Sequence, residues 1–254
     1  IRDRVEIASC CDGIAAIVGL PILTADGTIS AAALIQDRKV LRYIGKKYIT
    51  ARREMGFLVP SKGYEYATIK GHKCAIIVGD DLSRERDFDQ SVETVISINA
   101  RKYGKGTMTY RYEMMRNLAF VESKNLVLVN QVGGSTDIVY DGTSGALNSR
   151  GELVLMMKNF EEDFQIFDTK ASARPITIPS TYNDRTRLVY EAARCGLRDF
   201  FRKNGYRKAS IGLSGGIDSA VVACLAADAL GRQNIRALLL PSQFSSCLLY
   251  TSPS

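Results

Sequence analysis

Two serines and an aspartate flank a pair of glycines at residues 214–219, which read SGGIDS. Serine hydroxyls can donate hydrogen bonds to a phosphate, and glycines let its oxygens approach the backbone without meeting a Cβ. Asp218 would repel a bare phosphate, so its presence indicates a Mg²⁺ ion that bridges the carboxylate and the phosphates. The motif therefore predicts a site for phosphate groups together with magnesium.

The flanking residues predict the elements that position this motif. Residues 208–213 read as a short strand, and residues 219–230 predict a buried helix rich in alanine, valine and leucine, closed by Gly231. The start of such a helix presents N–H groups and the positive end of its dipole to an anion. Any strand-to-helix turn can carry Ser-Gly-Gly, but Asp218 and the flanking elements favour a phosphate loop. It is not of the Walker type, because no Gly-Lys-Ser/Thr follows.

The motif resembles the SGGxDS loop of the ATP pyrophosphatases, which cleave ATP between the α and β phosphates and adenylate a carboxylate or amide oxygen. Residues 190–205 and 211–220 are specifically similar to NAD⁺ synthetases, and residues 235–245 resemble their second strand and following loop. The resemblance implies ATP-dependent conversion of deamido-NAD⁺ to NAD⁺, in which ammonia attacks an NAD-adenylate. It implies ATP and Mg²⁺ as cofactors, with Asp218 as magnesium ligand. The implied ATP-binding residues are Gly212, Leu213, Ser214, Gly215, Gly216, Ile217, Asp218 and Ser219.

Residues 1–168 resemble the nitrilase-like glutaminase domain that precedes many such synthetases. The similar pieces keep the family's order and spacing, and they lie at residues 18–21, 46–49, 78–82, 130–134, 140–144 and 160–162. In that family a glutamate base, a lysine and a cysteine nucleophile hydrolyse glutamine, and the ammonia travels to the synthetase site. The resemblance implies a ligase that forms a C–N bond with glutamine as amido donor.

The glutaminase residues match the family only in part. Lys46 falls on the lysine position, although beside Lys47 it could equally be a solvated surface residue. Gly79 stands at the position of the nucleophile, and a glycine cannot form a thioester. Cys74 is expected to be buried and not to replace it. Residues 99–102, which read NARK, stand where the family has its Ser-Ala-Ser-Pro glutamine pocket, and the glutamate base would precede residue 1. We therefore expect an inactive glutaminase site, with free ammonia as nitrogen donor.

These resemblances imply an α/β chain in two parts. Residues 1–168 would form most of a four-layer α-β-β-α sandwich, N-terminally incomplete, and residues 184–246 the C-terminally incomplete start of a doubly wound parallel α/β domain. Residues 169–183 contain two of the six prolines and are interpreted as a linker. Residues 247–254 match nothing in the family and are expected to be a non-native tail. With so little of the second domain, the chain alone is expected to be inactive.

Hydrophobic patterns predict the supporting elements. Four runs have strand length and enough apolar residues to be covered on both faces, namely 15–20, 75–78, 94–98 and 126–130. Residues 109–123 predict a helix that faces the core with Met114, Leu118, Ala119 and Val121. Another helix is expected to begin at a cap, Asn183 or Asp184, and to end near Lys203. Its apolar side would comprise Leu188, Ala192, Cys195, Leu197 and Phe201.

Composition is that of a soluble globular protein, with 46% hydrophobic and 24% charged residues. We expect a cytoplasmic protein, because no apolar run approaches the ~20 residues of a membrane span and residues 1–25 do not resemble a signal peptide. The net charge of +7 would suit an anionic ligand, but scattered lysines and arginines disfavour nucleic acid. The six cysteines form no CxxC pair and are predicted to be reduced residues of the core. His72 is predicted to lie in a solvated loop. Neither a histidine-rich metal site nor a Ser-His-Asp triad is expected.

Two other functions also account for part of the sequence. Another ATP-pyrophosphatase amidotransferase, such as a GMP or asparagine synthetase, would share the loop but carry a different glutaminase domain. A non-catalytic interaction module built on a dead nitrilase fold would account for Gly79, but the intact Ser214, Asp218 and Ser219 disfavour it. The expected partners are deamido-NAD⁺, ATP and glutamine or ammonia. A homo-oligomer is expected, without nucleic-acid or membrane partners.

Overall fold

The computed structural model describes residues 2–52, 54–170 and 174–239, with side chains from Glu6 onward. Part of the predicted linker, the loop after residue 239 and the predicted tail at 247–254 lie outside the described residues. The helices are α1 (Arg2–Cys10), α2 (Thr107–Glu122), α3 (Arg185–Lys203) and α4 (Ile217–Leu230). The first strands are β1 (Ala15–Thr24), β2 (Gly27–Gln36), β3 (Lys39–Gly45), β4 (Glu65–Ile69), β5 (His72–Val78), β6 (Thr94–Asn99) and β7 (Asn125–Asn130). They are followed by β8 (Val132–Ser135), β9 (Ile138–Asp141), β10 (Gly145–Leu147), β11 (Leu153–Met156), β12 (Ala209–Leu213) and β13 (Ile235–Leu239).

Two sheets form the centre of the first part. Strands β1, β2 and β3 form an antiparallel sheet, and a six-stranded sheet has the order β11-β10-β7-β6-β5-β4. Within the larger sheet, β5 pairs parallel with β6 and β6 with β7, so their carboxyl ends meet at one edge. Residues that follow these strands are therefore brought together at that edge.

Three hydrophobic clusters separate four layers. Ala8 of α1 and Cys11, which follows α1, pack with Ala33 and Ile35 of β2 on the outer face of the small sheet. A second cluster joins the two sheets and contains Ala32, Leu34, Ile44, Ala67, Ile76 and Val78. The largest cluster lies between the six-stranded sheet and α2. The predicted α-β-β-α sandwich is confirmed by this arrangement.

Helix α2 faces the core with Leu118 and Ala119, as predicted, but the rest of its buried face differs from the prediction. Its buried residues are Met108, Arg111, Tyr112, Met115, Leu118 and Ala119, whereas Val121 is 64% exposed and Met114 is half-buried. Arg111 lies on the buried face because Asp141 neutralises its charge. Its Nη2 donates to both carboxylate oxygens of Asp141 at 2.9 Å. The prediction of strands covered on both faces was wrong for residues 15–20 of β1, none of which is buried, and for β7, where Val129 is 46% exposed.

Other sequence expectations also need correction. Cys11, Cys74 and Cys195 are buried, but Cys10 and Cys224 are exposed, and all five are free thiols. Cys247 lies outside the described residues. His72 is not in a loop, because it begins β5, and its Nδ1 lies 2.8 Å from Glu93. None of the helices in the described ranges has the length and apolar character that a bilayer span requires.

Helix α3 joins the sandwich to the strand-loop-helix unit. Asp184 caps it by accepting a hydrogen bond from Arg187 N at 3.0 Å. Leu188, Ala192 and Cys195 are buried as predicted, while Leu197 and Phe201 are only half-buried. These three buried residues share the large core cluster with α2, so α3 packs on the part of the chain that precedes it. The boundary between the two domains stays a prediction.

The β8-β9 hairpin docks closely on α3. A Cβ added to Gly134 would lie 3.0 Å from Gly196 Cα, so the two glycines permit this approach. Asp199 is 1% exposed and accepts a hydrogen bond from Gly134 N at 2.7 Å, and Lys203 donates to Gly134 O. Both backbone polar groups of Gly134 in the hairpin are thus held by side chains of α3.

Replacing Asp199 with alanine is expected to lower the free energy of unfolding by about 1–3 kcal/mol, because the buried Gly134 N–H loses its acceptor. Burial raises the pKa of Asp199, but the Gly134 N–H and the Arg198 and Arg202 guanidinium groups outweigh it and hold that pKa below 3.8. The stabilisation is therefore present above pH 3.8 and lost as the pH falls below it. Urea unfolding should show a larger gap between wild type and D199A at pH 7 than at about pH 3. A gap that does not depend on pH would contradict this account.

Candidate functional site

The phosphate loop closes on itself through its two serines. Strand β12 ends at Leu213, and Gly215 then adopts a φ of 80°, which favours glycine. Ser214 N donates to Ser219 Oγ at 3.3 Å, the two serine hydroxyls lie 3.2 Å apart, and Ser219 Oγ donates to Gly216 O at 2.9 Å. The loop is therefore a compact turn whose hydroxyl groups converge on one point.

Helix α4 begins directly after this turn, two residues earlier than predicted. Its N-cap is Gly216, which has no side chain to cap the helix. Asp218 lies in the first turn. Ser214, Gly216 and Asp218 are all exposed. First-turn N–H groups, two hydroxyls and one carboxylate thus face solvent at the positive end of the helix.

The oxygen atoms of the loop fit a magnesium ion that would be bound by the protein and by phosphate groups together. The described residues contain no group of three or more His, Cys, Asp or Glu side chains that could hold a metal. Mg²⁺ commonly takes one or two carboxylates and completes its six ligands with phosphate oxygens and water. A single carboxylate beside a phosphate cradle is therefore sufficient for this ion.

Helix α4 is not the buried helix that its composition predicts. Only Ala226 is buried, and Val221 and Val222 are 52% and 51% exposed. Among the described residues, α3, β12 and β13 pack on it, which leaves its opposite face uncovered. The predicted strand pair is confirmed, because β12 and β13 pair in parallel.

Gly79 and Lys46 lie side by side in a second site, at the carboxyl ends of β5 and β3. A Cβ added to Gly79 would lie 3.3 Å from Lys46 Cε and 3.5 Å from Lys46 Nζ. Lys46 is only 4% exposed, so the structure does not support the solvated alternative for this residue. Gly79 has a φ of 63°, so a side chain there would be carried on strained backbone. The two positions that the resemblance assigned to the glutaminase site are brought together.

Asp81 holds the two segments of this site in place. Its carboxylate is buried and accepts hydrogen bonds from Lys47 N at 2.6 Å and Tyr48 N at 2.9 Å. Burial raises the pKa of Asp81, and the two N–H groups oppose that rise. The turn after β5 is therefore tied to the segment that carries Lys46.

A network of charges surrounds Lys46. Its Nζ lies 2.7 Å from Glu54 Oε2 and 3.7 Å from Asp80 Oδ2, and Arg101 Nη2 lies 2.9 Å from Asp80 Oδ1. Sequence reasoning missed the roles of Glu54, Asp80 and Asp81. Asp80 and Asp81 lie in the segment 78–82 that the resemblance aligned, whereas Glu54 lies in none of the aligned segments.

Cys74 lies away from this site, as expected. It is 5% exposed in the interior of β5, paired with Ala67 and Thr94 on the neighbouring strands. Cys74 precedes Gly79 by five positions along extended backbone, which corresponds to about 16 Å between their Cα atoms. Burial raises the pKa of the Cys74 thiol, and Glu93 adds to the rise, so its reactive thiolate form is disfavoured.

The chain is similar to known proteins over most of its length. The family model for NAD synthase matches residues 189–250, which include the phosphate loop. The glutamine-dependent NAD⁺ synthetase of Synechocystis sp. is 32% identical over 239 residues, which cover 85% of this chain and 43% of the relative. The corresponding protein of Aquifex aeolicus is 30% identical over 270 residues, covering 90% of this chain and 47% of the relative. The chain thus spans about half the length of the curated relatives it matches.

Solved structures give the same result for the fold. The glutamine-dependent NAD⁺ synthetase of Acinetobacter baumannii, in complex with ADP, superposes with a TM-score of 0.82 at 26% identity, covering 98% of this chain and 49% of that chain. An amidase of the nitrilase superfamily from Nesterenkonia has a TM-score of 0.54 at 17% identity, covering 62% of this chain and 63% of that one, and supports the sandwich fold alone. Over its sandwich and over the segment that the NAD synthase family model matches, the chain is therefore similar to the glutamine-dependent NAD⁺ synthetases.

Proposed function

We propose that the protein to which this chain belongs is an NAD⁺ synthetase that amidates deamido-NAD⁺ at the expense of ATP and uses free ammonia. The observation that carries the proposal is the phosphate loop between β12 and α4, within the segment that matches the NAD synthase family. Relatives that are similar to most of the chain are glutamine-dependent NAD⁺ synthetases by name, which supports the synthesis of NAD⁺.

Each part of the loop has a role in this proposal. Residues 212–219 bind the phosphates of ATP through backbone N–H groups and the hydroxyls of Ser214 and Ser219, at the positive end of α4. Asp218 would hold Mg²⁺, and the bound ion would neutralise charge on the phosphates. The loop thereby orients ATP so that the carboxylate of deamido-NAD⁺ attacks the α-phosphorus and pyrophosphate leaves. Ammonia then attacks the carboxyl carbon of the resulting NAD-adenylate, and AMP and a proton leave to give NAD⁺.

The second site lacks the group that would release ammonia from glutamine. Glutamine hydrolysis in the related family requires a thiolate that forms a thioester, and Gly79 offers no side chain at that position. Lys46 is present, but a lysine that stabilises charge cannot act without a nucleophile beside it. Ammonia from solution is the donor in this proposal.

The donor preference is tested by measuring NAD⁺ formation from deamido-NAD⁺ and Mg-ATP, once with ammonium and once with glutamine. We expect formation with ammonium, and with glutamine no rate above that without a nitrogen donor. The matched control is Cys74→Ala, which removes the nearest thiol in sequence and should leave both results unchanged. An equal rate with glutamine would contradict the assignment of Gly79. No product with either donor would contradict the synthetase and favour an interaction module.

A further inference from the structure

The two serine hydroxyls of the phosphate loop are held differently. Ser219 is half-buried, and its Oγ makes three contacts inside the loop. It donates to Gly216 O at 2.9 Å, accepts from Ser214 N at 3.3 Å and lies 3.2 Å from Ser214 Oγ. Ser214 is exposed, and its Oγ accepts a longer hydrogen bond from Gly216 N, at 3.4 Å. The loop thus encloses the hydroxyl of Ser219 and presents that of Ser214 to solvent.

A hydroxyl group carries a single proton, which decides what each serine can donate. The proton of Ser219 is used in the bond to Gly216 O, so Ser214 is the donor in the contact between the two hydroxyls. Ser214 can turn its proton toward a ligand while Ser219 still holds Ser214 N and Gly216 O. Ser219 could donate to a ligand only by releasing Gly216 O.

The two backbone groups that Ser219 holds belong to different elements. Gly216 is the N-cap of α4, and its carbonyl oxygen also accepts from Ala220 N at 3.3 Å. Ser214 directly follows the last residue of β12. Between them Gly215 has a φ of 80°. Ser219 therefore ties the end of the strand to the start of the helix across the turn that would receive the phosphates.

We infer that Ser219 is a positioning residue, which keeps the loop in its phosphate-binding shape before ATP arrives, and that Ser214 is the serine whose hydroxyl donates to the phosphates. The inference rests on the proposed function, since it takes residues 212–219 to bind ATP. It assigns a different defect to each serine. Without the Ser219 hydroxyl, ATP itself must order the loop, and binding is weaker because that ordering costs free energy. Without the Ser214 hydroxyl, a contact is missing from the complex itself.

The first measurement is amide hydrogen exchange in the full-length enzyme without ligand, read at single residues by mass spectrometry with fragmentation. Ser219→Ala is expected to lower the protection factor of the Ser214 N–H about three- to tenfold, because that amide loses its acceptor. Ser219→Thr keeps a hydroxyl at this position and should restore the protection. Ser214→Ala should leave the same amide within about twofold of wild type, since the Ser219 oxygen remains.

The second measurement separates ATP binding from turnover, through initial rates of ammonium-dependent NAD⁺ formation against ATP concentration. S219A is expected to raise KM for ATP about tenfold and to keep kcat within about threefold, because bound phosphates order the loop. S214A is expected to lower kcat at least about tenfold, because a donor is missing from the reacting complex. The matched control is Ser210→Ala, which removes an exposed hydroxyl from β12 outside the loop and should change neither constant.

A second variant covers the case in which S219A fails to fold. Ser219→Cys places a weaker acceptor of similar size at the same position and should give an intermediate loss of protection at the Ser214 N–H. Far-UV circular dichroism of each variant checks that it is folded before exchange is compared.

Two results would overturn the inference. Unchanged protection of the Ser214 N–H in the folded Ser219 variants would show that Ser219 does not hold the loop. A fall of kcat in S219A as large as that in S214A, with KM unchanged, would show that Ser219 donates to the phosphates directly. Exchange is measured without NAD⁺ formation, so either failure is distinguishable from a failure of the proposed synthetase, in which the wild type would make no NAD⁺.

Discussion

Asp218→Asn is expected to reduce ammonium-dependent NAD⁺ formation by about 10³-fold, the upper range for removing one electrostatic stabiliser from an active site. Asp218 is the only carboxylate in the first turn of α4, and asparagine keeps its shape while removing its charge. The variant would bind Mg²⁺ poorly and leave the phosphate charge uncompensated. Initial rates measured against Mg²⁺ concentration should show a raised requirement for the metal as well as the lower rate.

A matched control lies on the same helix. Asp228 is three turns further along α4, where its carboxylate contacts the Tyr190 hydroxyl. Asp228→Asn removes the same charge from the same helix without touching the loop, and its rate should remain within about twofold of wild type. A loss below tenfold for D218N, or equal losses for both variants, would show that Asp218 is not the metal ligand.

Arg111→Ala is expected to lower the free energy of unfolding by about 3–5 kcal/mol, because it leaves a buried carboxylate without its cation. The Arg111 and Asp141 side chains are 1% and 2% exposed, and Arg111 also donates to Gly142 O at 3.1 Å. Asn130 would be the only remaining side-chain donor to the Asp141 carboxylate among the described residues. Urea unfolding followed by far-UV circular dichroism measures the change.

Two further variants test the cause of that loss. Arg116→Ala removes an exposed arginine from the same helix and should change stability by no more than about 0.5 kcal/mol. Arg111→Met with Asp141→Leu removes both charges and should cost less than R111A, since no unpaired charge remains buried. If the double variant were less stable than R111A, lost packing and not the orphaned charge would be responsible.

Features that depend on neighbouring residues could be predicted from the sequence. The strand, turn and helix of the phosphate loop are contiguous, and the hydrogen bonds between Ser214 and Ser219 span five residues. The cap at Asp184 spans three residues. Such local arrangements follow from hydrophobic period, glycine conformation and capping preference. The roles assigned to residues 212–219 stay predictions.

Features that depend on distant partners could not be predicted in this way. Periodicity counts an arginine as polar, so the buried face of α2 was predicted only in part. Arg111 belongs to that face because it finds its partner thirty residues later, in Asp141. The exposure of α4 was also missed, since apolar composition reports what a helix could bury and not what covers it.

The sequence by itself determined the kind of chemistry, because the types and order of Ser214, Asp218, Ser219 and the residue at position 79 need no coordinates to be read. Only the tertiary structure decided that Lys46 is buried and that Arg101 contacts Asp80. Those residues follow three different strands, β3, β5 and β6. Burial and ion pairing arise from segments that are distant in the chain and meet only when the sheets pack, so no local pattern encodes them.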